Sequence, residues 1–208
     1  MKNTVTILGA GAWGTAIAKA VAEKGFPVRL WSFEAEVAAD INGNRRNSRY
    51  LPDVPLPGGI TADTDIRRAA EGAEFIIIAT PSLHILPAVK SILAASNVME
   101  GQSLIGVLSK GFVTTDAGPR LIVAALEDYL PGFYKNNLVY ISGPSHAEEV
   151  ARGKLTGLIS ASANGKNSIR FRELLSSPTL MVFSSFDVVG VQVCGACKNV
   201  VAVAFGML

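Results

Sequence analysis

The chain predicts a doubly wound α/β fold: a parallel sheet with helices on both faces over residues 1–186, then the first helix of an all-helical second domain over 187–208. Three observations carry this. Strand and helix signals alternate along most of the sequence, which favours parallel strands joined by helical crossovers. The run Glu74-Phe75-Ile76-Ile77-Ile78-Ala79 reads as the central strand, apolar after its first residue as a strand covered on both faces must be. A glycine-rich turn sits directly between the first strand and the first helix. With 208 residues, 49% of them hydrophobic and 17% charged, the chain can fill a core of this size.

Taken in order, Val5-Thr6-Ile7-Leu8 reads as a short buried strand, Gly9-Ala10-Gly11-Ala12-Trp13-Gly14 as the turn, and 15–24 as a helix. Strand, G-x-G-x-x-G, helix is the arrangement that a dinucleotide pyrophosphate requires. Gly9 allows the tight turn, Gly11 removes a side chain where phosphate must approach backbone, and Gly14 lets helix pack on strand. The helix N-terminus adds free N–H donors and partial positive charge.

Gly25 stops that helix, and 27–31 form a second strand. Residues 34–42 read as a helix ending at Gly43. The following stretch, 44–59, is polar, basic and proline-rich and reads as a long loop, a length that usually signals function or disorder. A weak strand over 60–62 and a short helix over 65–71 precede the central strand. Pro81 ends that strand, and Ser82 is placed to cap a helix running to about Ala95. Strands at 103–108 and 138–142 flank a helix at 116–129. A shorter α/β region follows, with helices at 147–152 and 169–175 and strands at 156–162 and 180–184. Asp187 then caps a helix that is apolar on nearly all faces, the signature of a buried helix.

A net charge of +2, scattered along the chain, argues against nucleic acid or a membrane surface as partner. Met1-Lys2-Asn3 leads straight into the first strand, so no signal peptide is expected. Gln192, Lys198 and Asn199 interrupt the most apolar stretch, so no membrane anchor is expected either. These features predict a cytoplasmic protein. Cys194 and Cys197 could form a redox or zinc pair, but they lie inside an apolar helical stretch with His84 and His146 far away in sequence. Two small buried core residues is the reading preferred here.

Several strand ends carry polar residues, and in an open α/β sheet those ends line the ligand crevice. Lys110, in Ser109-Lys110-Gly111, either reaches over the crevice toward an anion or is a solvated surface lysine. Ser145, in Gly143-Pro144-Ser145-His146, either faces a ligand or caps the next helix. Lys198 stands among apolar residues beside Asn199. It either snorkels to solvent or points into a cavity where desolvation would tune it for proton transfer.

Five ordered motifs now resemble one family: Gly9-Ala10-Gly11-Ala12-Trp13-Gly14-Thr15-Ala16, Tyr50-Leu51-Pro52, Ser109-Lys110-Gly111, Gly143-Pro144-Ser145-His146-Ala147-Glu148 and Lys198-Asn199-Val200. Together they are similar to the bacterial NAD(P)-dependent glycerol-3-phosphate dehydrogenases, and the likeness covers essentially the whole chain. The resemblance implies a Rossmann-type domain and reversible reduction of dihydroxyacetone phosphate to sn-glycerol 3-phosphate for phospholipid synthesis. It places the cofactor on Gly9, Gly11, Ala12, Trp13 and Gly14, with Phe33 and Tyr50 on the adenosine side and Ala147 near the nicotinamide. Lys110 would touch cofactor and substrate, Gly143 and Ser145 would lie at the substrate, and Lys198 would be the catalytic lysine, with no metal required.

The family's catalytic domain ordinarily extends further and supplies an acidic residue and a Gly-Arg-Asn segment not found in these 208 residues. Weak turnover of this chain, or none at all, is therefore expected, along with association of its apolar final helix, a homodimer included. NAD or NADP stays open: Glu34 fits the spacing of a ribose-binding acid but equally a helix-start residue, and Arg45, Arg46 or Arg49 could receive a 2′-phosphate. The competing readings are a related dehydrogenase with another small substrate and a non-catalytic nucleotide-binding module.

Overall fold

The computed structural model describes residues 4–115 and 118–207. The chain runs β1 (Val5–Leu8), α1 (Ala12–Glu23), β2 (Val28–Trp31), α2 (Ala35–Asn44), β3 (Ile60–Asp63), α3 (Ile66–Ala70) and β4 (Phe75–Ile78). A tight turn (Ser82–His84) leads to α4 (Ile85–Ile92), α5 (Ser96–Met99), β5 (Leu104–Val107), β6 (Phe112–Thr115), β7 (Gly118–Leu121) and α6 (Ile122–Glu127). Then come β8 (Val139–Ser142), α7 (Ala147–Ala151), β9 (Thr156–Ala161), α8 (Gly165–Leu175), β10 (Leu180–Ser185) and α9 (Val188–Gly206).

Eight strands form one sheet in the order β10-β9-β8-β5-β4-β1-β2-β3. The sequence proceeds outward from β1 through β2 and β3, then restarts at β4 on the other side. The C-terminal ends of β1 and β4 therefore flank a topological switch point, where ligands bind in such sheets. Successive residues of a strand face opposite sides of the sheet. Accordingly Phe75 and Ile77 enter the core on one face with Ile17, Leu30 and Phe171, while Ile76 and Ile78 enter the other with Val89, Leu126 and Tyr140. Thr6 is the polar intruder in β1, and its hydroxyl donates to the Ala69 carbonyl at 2.5 Å.

The doubly wound fold is as expected, with several corrections. The sheet is not wholly parallel, because β9 runs antiparallel to β8 and β10 follows β9. The helix expected over 116–129 begins at Ile122; β6 over 112–115 pairs antiparallel with β7 over 118–121, with Gly118 at φ +104°, a value no helix accepts, while Asp116 and Ala117 lie outside the described residues. Ser82 opens the tight turn after Pro81 instead of capping a long helix, and that helix breaks between Ile92 and Ser96. Helix α2 continues through Gly43 and stops at Arg45, which takes the left-handed conformation at φ 53°. Helix α8 starts earlier than expected because the Asn164 side chain caps it at Lys166 N–H.

The long basic loop is ordered. Leu51, Val54 and Leu56 are buried beneath it, and buried Asn47 donates from Nδ2 to the Ala10 carbonyl and to Thr15 Oγ1, both at 2.8 Å.

Helix α9 departs furthest from expectation. Asp187 caps it, accepting from Gly190 N–H at 2.7 Å, but only Gln192 and Gly195 are fully buried. Residues 192, 195 and 198 fall on one helical stripe, and that stripe faces the sheet. Gln192 accepts from Val123 N–H at 3.0 Å, and the Lys198 amine reaches the Ser145 carbonyl at 2.8 Å. Gln192 and Lys198 thus point inward, whereas Asn199 is exposed. Cys194 and Cys197 lie off that stripe and are exposed, not core residues. Polar interruptions do not disqualify α9 as a span: by length and composition, its 19 residues suffice to cross a bilayer.

Candidate active site

The turn after β1 is built by backbone approach. Gly9 has φ +122°, and a Cβ there would stand 3.0 Å from the backbone of Ala79 and Thr80. A Cβ on Gly14 would come within 1.9 Å of the Gly9 carbonyl oxygen, so α1 could not pack this closely on its own entry turn. Gly11 is different: a Cβ there meets no protein atom within 4 Å. Packing explains the first and third glycines and leaves the second unexplained by protein contacts. No side chain caps α1, and its first turn holds no acidic residue, so its leading N–H groups face that open space.

Thr80, just past β4, is buried with a hydroxyl that has no hydrogen-bond partner among the described residues, and the buried indole N–H of Trp13 likewise has none there. Buried polar atoms are rarely left unpaired in a finished structure. An open cradle over Gly11, uncapped N–H donors and two orphaned polar atoms fit a dinucleotide pyrophosphate lying across the switch point.

The opposite wall comes from the far half of the sheet. Ser109 fixes the end of β5, donating to the Thr80 carbonyl at 2.5 Å while its own carbonyl accepts from the Tyr140 hydroxyl at 2.9 Å. Lys110 follows, with its amine 5.9 Å from the centre of the Trp13 ring. Burial lowers the Lys110 pKa to about 8, and the charge of neighbouring Lys198 and hydrogen bonding between the two amines act in the same direction.

Lys198 arrives from α9. Gly195 makes that possible, since a Cβ there would stand 2.7 Å from Ser142 Oγ and hold the helix off β8. One turn further, the Lys198 amine sits over Ser145. Ser145 is buried and does not cap α7, where His146 is the capping position and makes no side-chain capping bond. Two ammonium groups thus converge beside Trp13, an arrangement suited to an anionic or electron-rich oxygen.

The other expected residues divide. Ala147 packs with Trp13 against the same core, through contact of α7 with α1. Gly143 is required by packing, since a Cβ would stand 2.5 Å from the Gly157 carbonyl. Phe33 stands 86% exposed beyond β2, and Tyr50 lies under the Arg49 guanidinium, 5.4 Å from its ring centre. Asn47, which ties the basic loop to the glycine turn, and Thr80 were not singled out from sequence; neither carries a motif that would reveal it. Among the described residues no group of three or more His, Cys, Asp or Glu could hold a metal.

Comparison with known proteins shows the family. Residues 4–168 match the family model for the NAD-dependent glycerol-3-phosphate dehydrogenase N-terminus. The chain belongs to that family. A glycerol-3-phosphate dehydrogenase [NAD(P)+] of Treponema denticola is 50% identical over 214 residues, covering 100% of this chain and 60% of that protein. Its counterpart in Bacillus velezensis is 37% identical over 98% of this chain and 57% of its own length. The crystal structure of the Coxiella burnetii glycerol-3-phosphate dehydrogenase superposes with a TM-score of 0.86 at 32% identity, over 99% of this chain and 60% of that one. The chain therefore spans about 60% of the length of such dehydrogenase relatives.

Proposed function

We propose that this chain binds NAD(P) across the glycine turn and serves the interconversion of dihydroxyacetone phosphate and sn-glycerol 3-phosphate. The observation that carries the reading is the meeting of Lys110 and Lys198 beside Trp13, at the mouth of a turn built for a pyrophosphate. Family membership, shared with proteins named for this activity, supports the choice of substrate.

In this reading the backbone N–H groups of Ala12, Trp13 and Gly14 hold the pyrophosphate, with Gly9 and Gly11 shaping its bed. Phe33 and Tyr50 flank the adenosine side, and Ala147 borders the nicotinamide side. The cofactor, when bound, supplies the hydride that reduces the ketone. Reduction leaves negative charge on the former carbonyl oxygen, and the Lys198 ammonium stabilises that charge and delivers the proton that completes the alcohol. The Ser145 carbonyl orients the Lys198 amine. Lys110 bridges cofactor and substrate, and Gly143 and Ser145 form the substrate floor.

Titration of the chain with NADH, followed by energy transfer from Trp13 and Trp31, should saturate; no binding overturns the reading. Dihydroxyacetone phosphate should then drive NADH oxidation, falling by a factor of about 100 or more in Lys198→Ala. Binding without ketone-dependent oxidation, in this chain and in a version extended to the length of its relatives, would instead identify a nucleotide-binding module.

A further inference from the structure

Helix α6 has no cap of its own. Leu121 stands at its capping position without a side-chain acceptor, so the leading N–H groups of α6 need a partner from elsewhere. Gln192 of α9 supplies one. Its Oε1 accepts from Val123 N–H at 3.0 Å, and its Nε2 donates to the Val188 carbonyl at 3.1 Å. The side chain is 2% exposed, with its oxygen and its nitrogen both engaged.

This bond selects what the rest of α9 leaves open. Valines stand on almost every side of the helix, and Val189, Val193, Val200 and Val203 remain exposed, so apolar burial does not choose the stripe that meets the sheet. Gly195 permits close approach to Ser142 but carries no group that selects it. Asp187 caps α9 within its own first turn. A hydrogen bond to one buried donor is directional and accepts a single rotation, the way buried polar groups fix register between packed helices. Lys198 lies about 9 Å further along the same helix. Turning α9 by one residue would swing the Lys198 stem through about 100° and carry its amine off the Ser145 carbonyl, where it now sits at 2.8 Å.

Resting on the reading in which Lys198 stabilises and protonates the substrate oxygen, we infer that Gln192 is a positioning residue for that lysine. Its bond to Val123 N–H sets the rotation of α9 that brings Lys198 to Ser145 and Lys110. Buried between α9 and α6, Gln192 acts through the lysine alone.

The test needs no nucleotide. Burial lowers the Lys110 pKa to about 8, and Lys198 is the charged group that adds to this, alone among the described residues. The pH dependence of Lys110 labelling by an amine-reactive anhydride, read by peptide mass spectrometry on the 208-residue chain, therefore reports whether Lys198 is in place. The unaltered chain should show a midpoint at about pH 8. Lys198→Ala should move it to about pH 9 by removing the like charge. Gln192→Met, close in shape but without an acceptor, should move it as far while keeping the parent's circular dichroism. Gln192→Ala, which lets water reach Val123 N–H, should do the same and decides the matter if Gln192→Met does not fold. Gln192→Glu, which keeps an acceptor, should return the midpoint toward that of the parent. A folded Gln192→Met or Gln192→Ala variant with the parent's midpoint overturns the inference, as does a shift in Gln192→Glu equal to theirs. A midpoint unmoved by Lys198→Ala overturns the meeting of the two amines and the inference with it. Failure of NADH to bind overturns the nucleotide reading instead and leaves the labelling result standing.

Discussion

Alanine at Gly11 and alanine at Gly14 should have opposite consequences, although the two residues share a turn. At Gly14 the new Cβ would lie 1.9 Å from the Gly9 oxygen, well inside contact, and the obstacle is backbone tied to β2 by the Gly9 N–H bond to the Trp31 carbonyl. Relieving an overlap of that size costs about 3 kcal/mol, and the better helix propensity of alanine offsets about 1 kcal/mol. The net loss of about 2 kcal/mol lowers the melting temperature of a domain this size by roughly 4–8 °C. At Gly11 the Cβ meets nothing, and the residue has φ −70°, which alanine adopts freely. Stability should stay within about 1 kcal/mol, since alanine is a poorer helix cap but lowers the entropy of the unfolded chain. NADH binding should nevertheless be lost. Circular dichroism melts and NADH titrations of both variants make the comparison. A Gly14→Ala variant that melts like the parent, or a Gly11→Ala variant that binds NADH unchanged, would refute the assignment of Gly14 to packing and Gly11 to ligand.

Three further outcomes are expected. Asn47→Ala strips partners from the Ala10 carbonyl, Thr15 Oγ1 and Tyr50 N–H and should cost about 2–3 kcal/mol in urea unfolding, with weaker NADH binding as the basic loop loosens. Thr80→Val removes an unpartnered buried hydroxyl and should raise stability by about 1 kcal/mol in the same assay; a loss of that size would mean the hydroxyl is satisfied. Lys110 titrates near pH 8 when folded and near 10.5 when unfolded, so between those values the unfolded chain binds more protons and stability from this group rises with pH. Burial raises Tyr134 and Tyr140 to about 12, so their opposite contribution begins only above pH 10. Between pH 8 and 10, Lys110→Met should therefore flatten the rise seen by denaturant titration, and an identical slope in parent and variant would contradict a desolvated amine.

Much of the architecture was legible because short-range physics writes it into the sequence. The apolar run of β4, the glycine turn and the Asp187 cap each announce themselves within a few residues, and each stands where expected. Errors fell where local signals compete. The stretches at 112–115 and 118–121 have helix formers nearby, but β-branched residues and Gly118 favour an antiparallel pair. The cysteines sit in an apolar run whose exposure depends on which stripe of α9 meets the sheet.

The sequence by itself determined the alternation of strand and helix, the glycine turn and the family, because these follow from local periodicity and ordered motifs. The fingerprint already assigned Gly11 to a ligand and Gly14 to packing; only the tertiary structure supplied the distances to Ala79 and Gly9 on which those roles depend. It also brought Lys198 onto Ser145, 53 residues away in sequence, and placed Arg49 between Glu34 and Glu36. Such meetings depend on how α9 and the basic loop fold back over the strand ends, and no local pattern encodes a distance between segments that touch only after the sheet has formed.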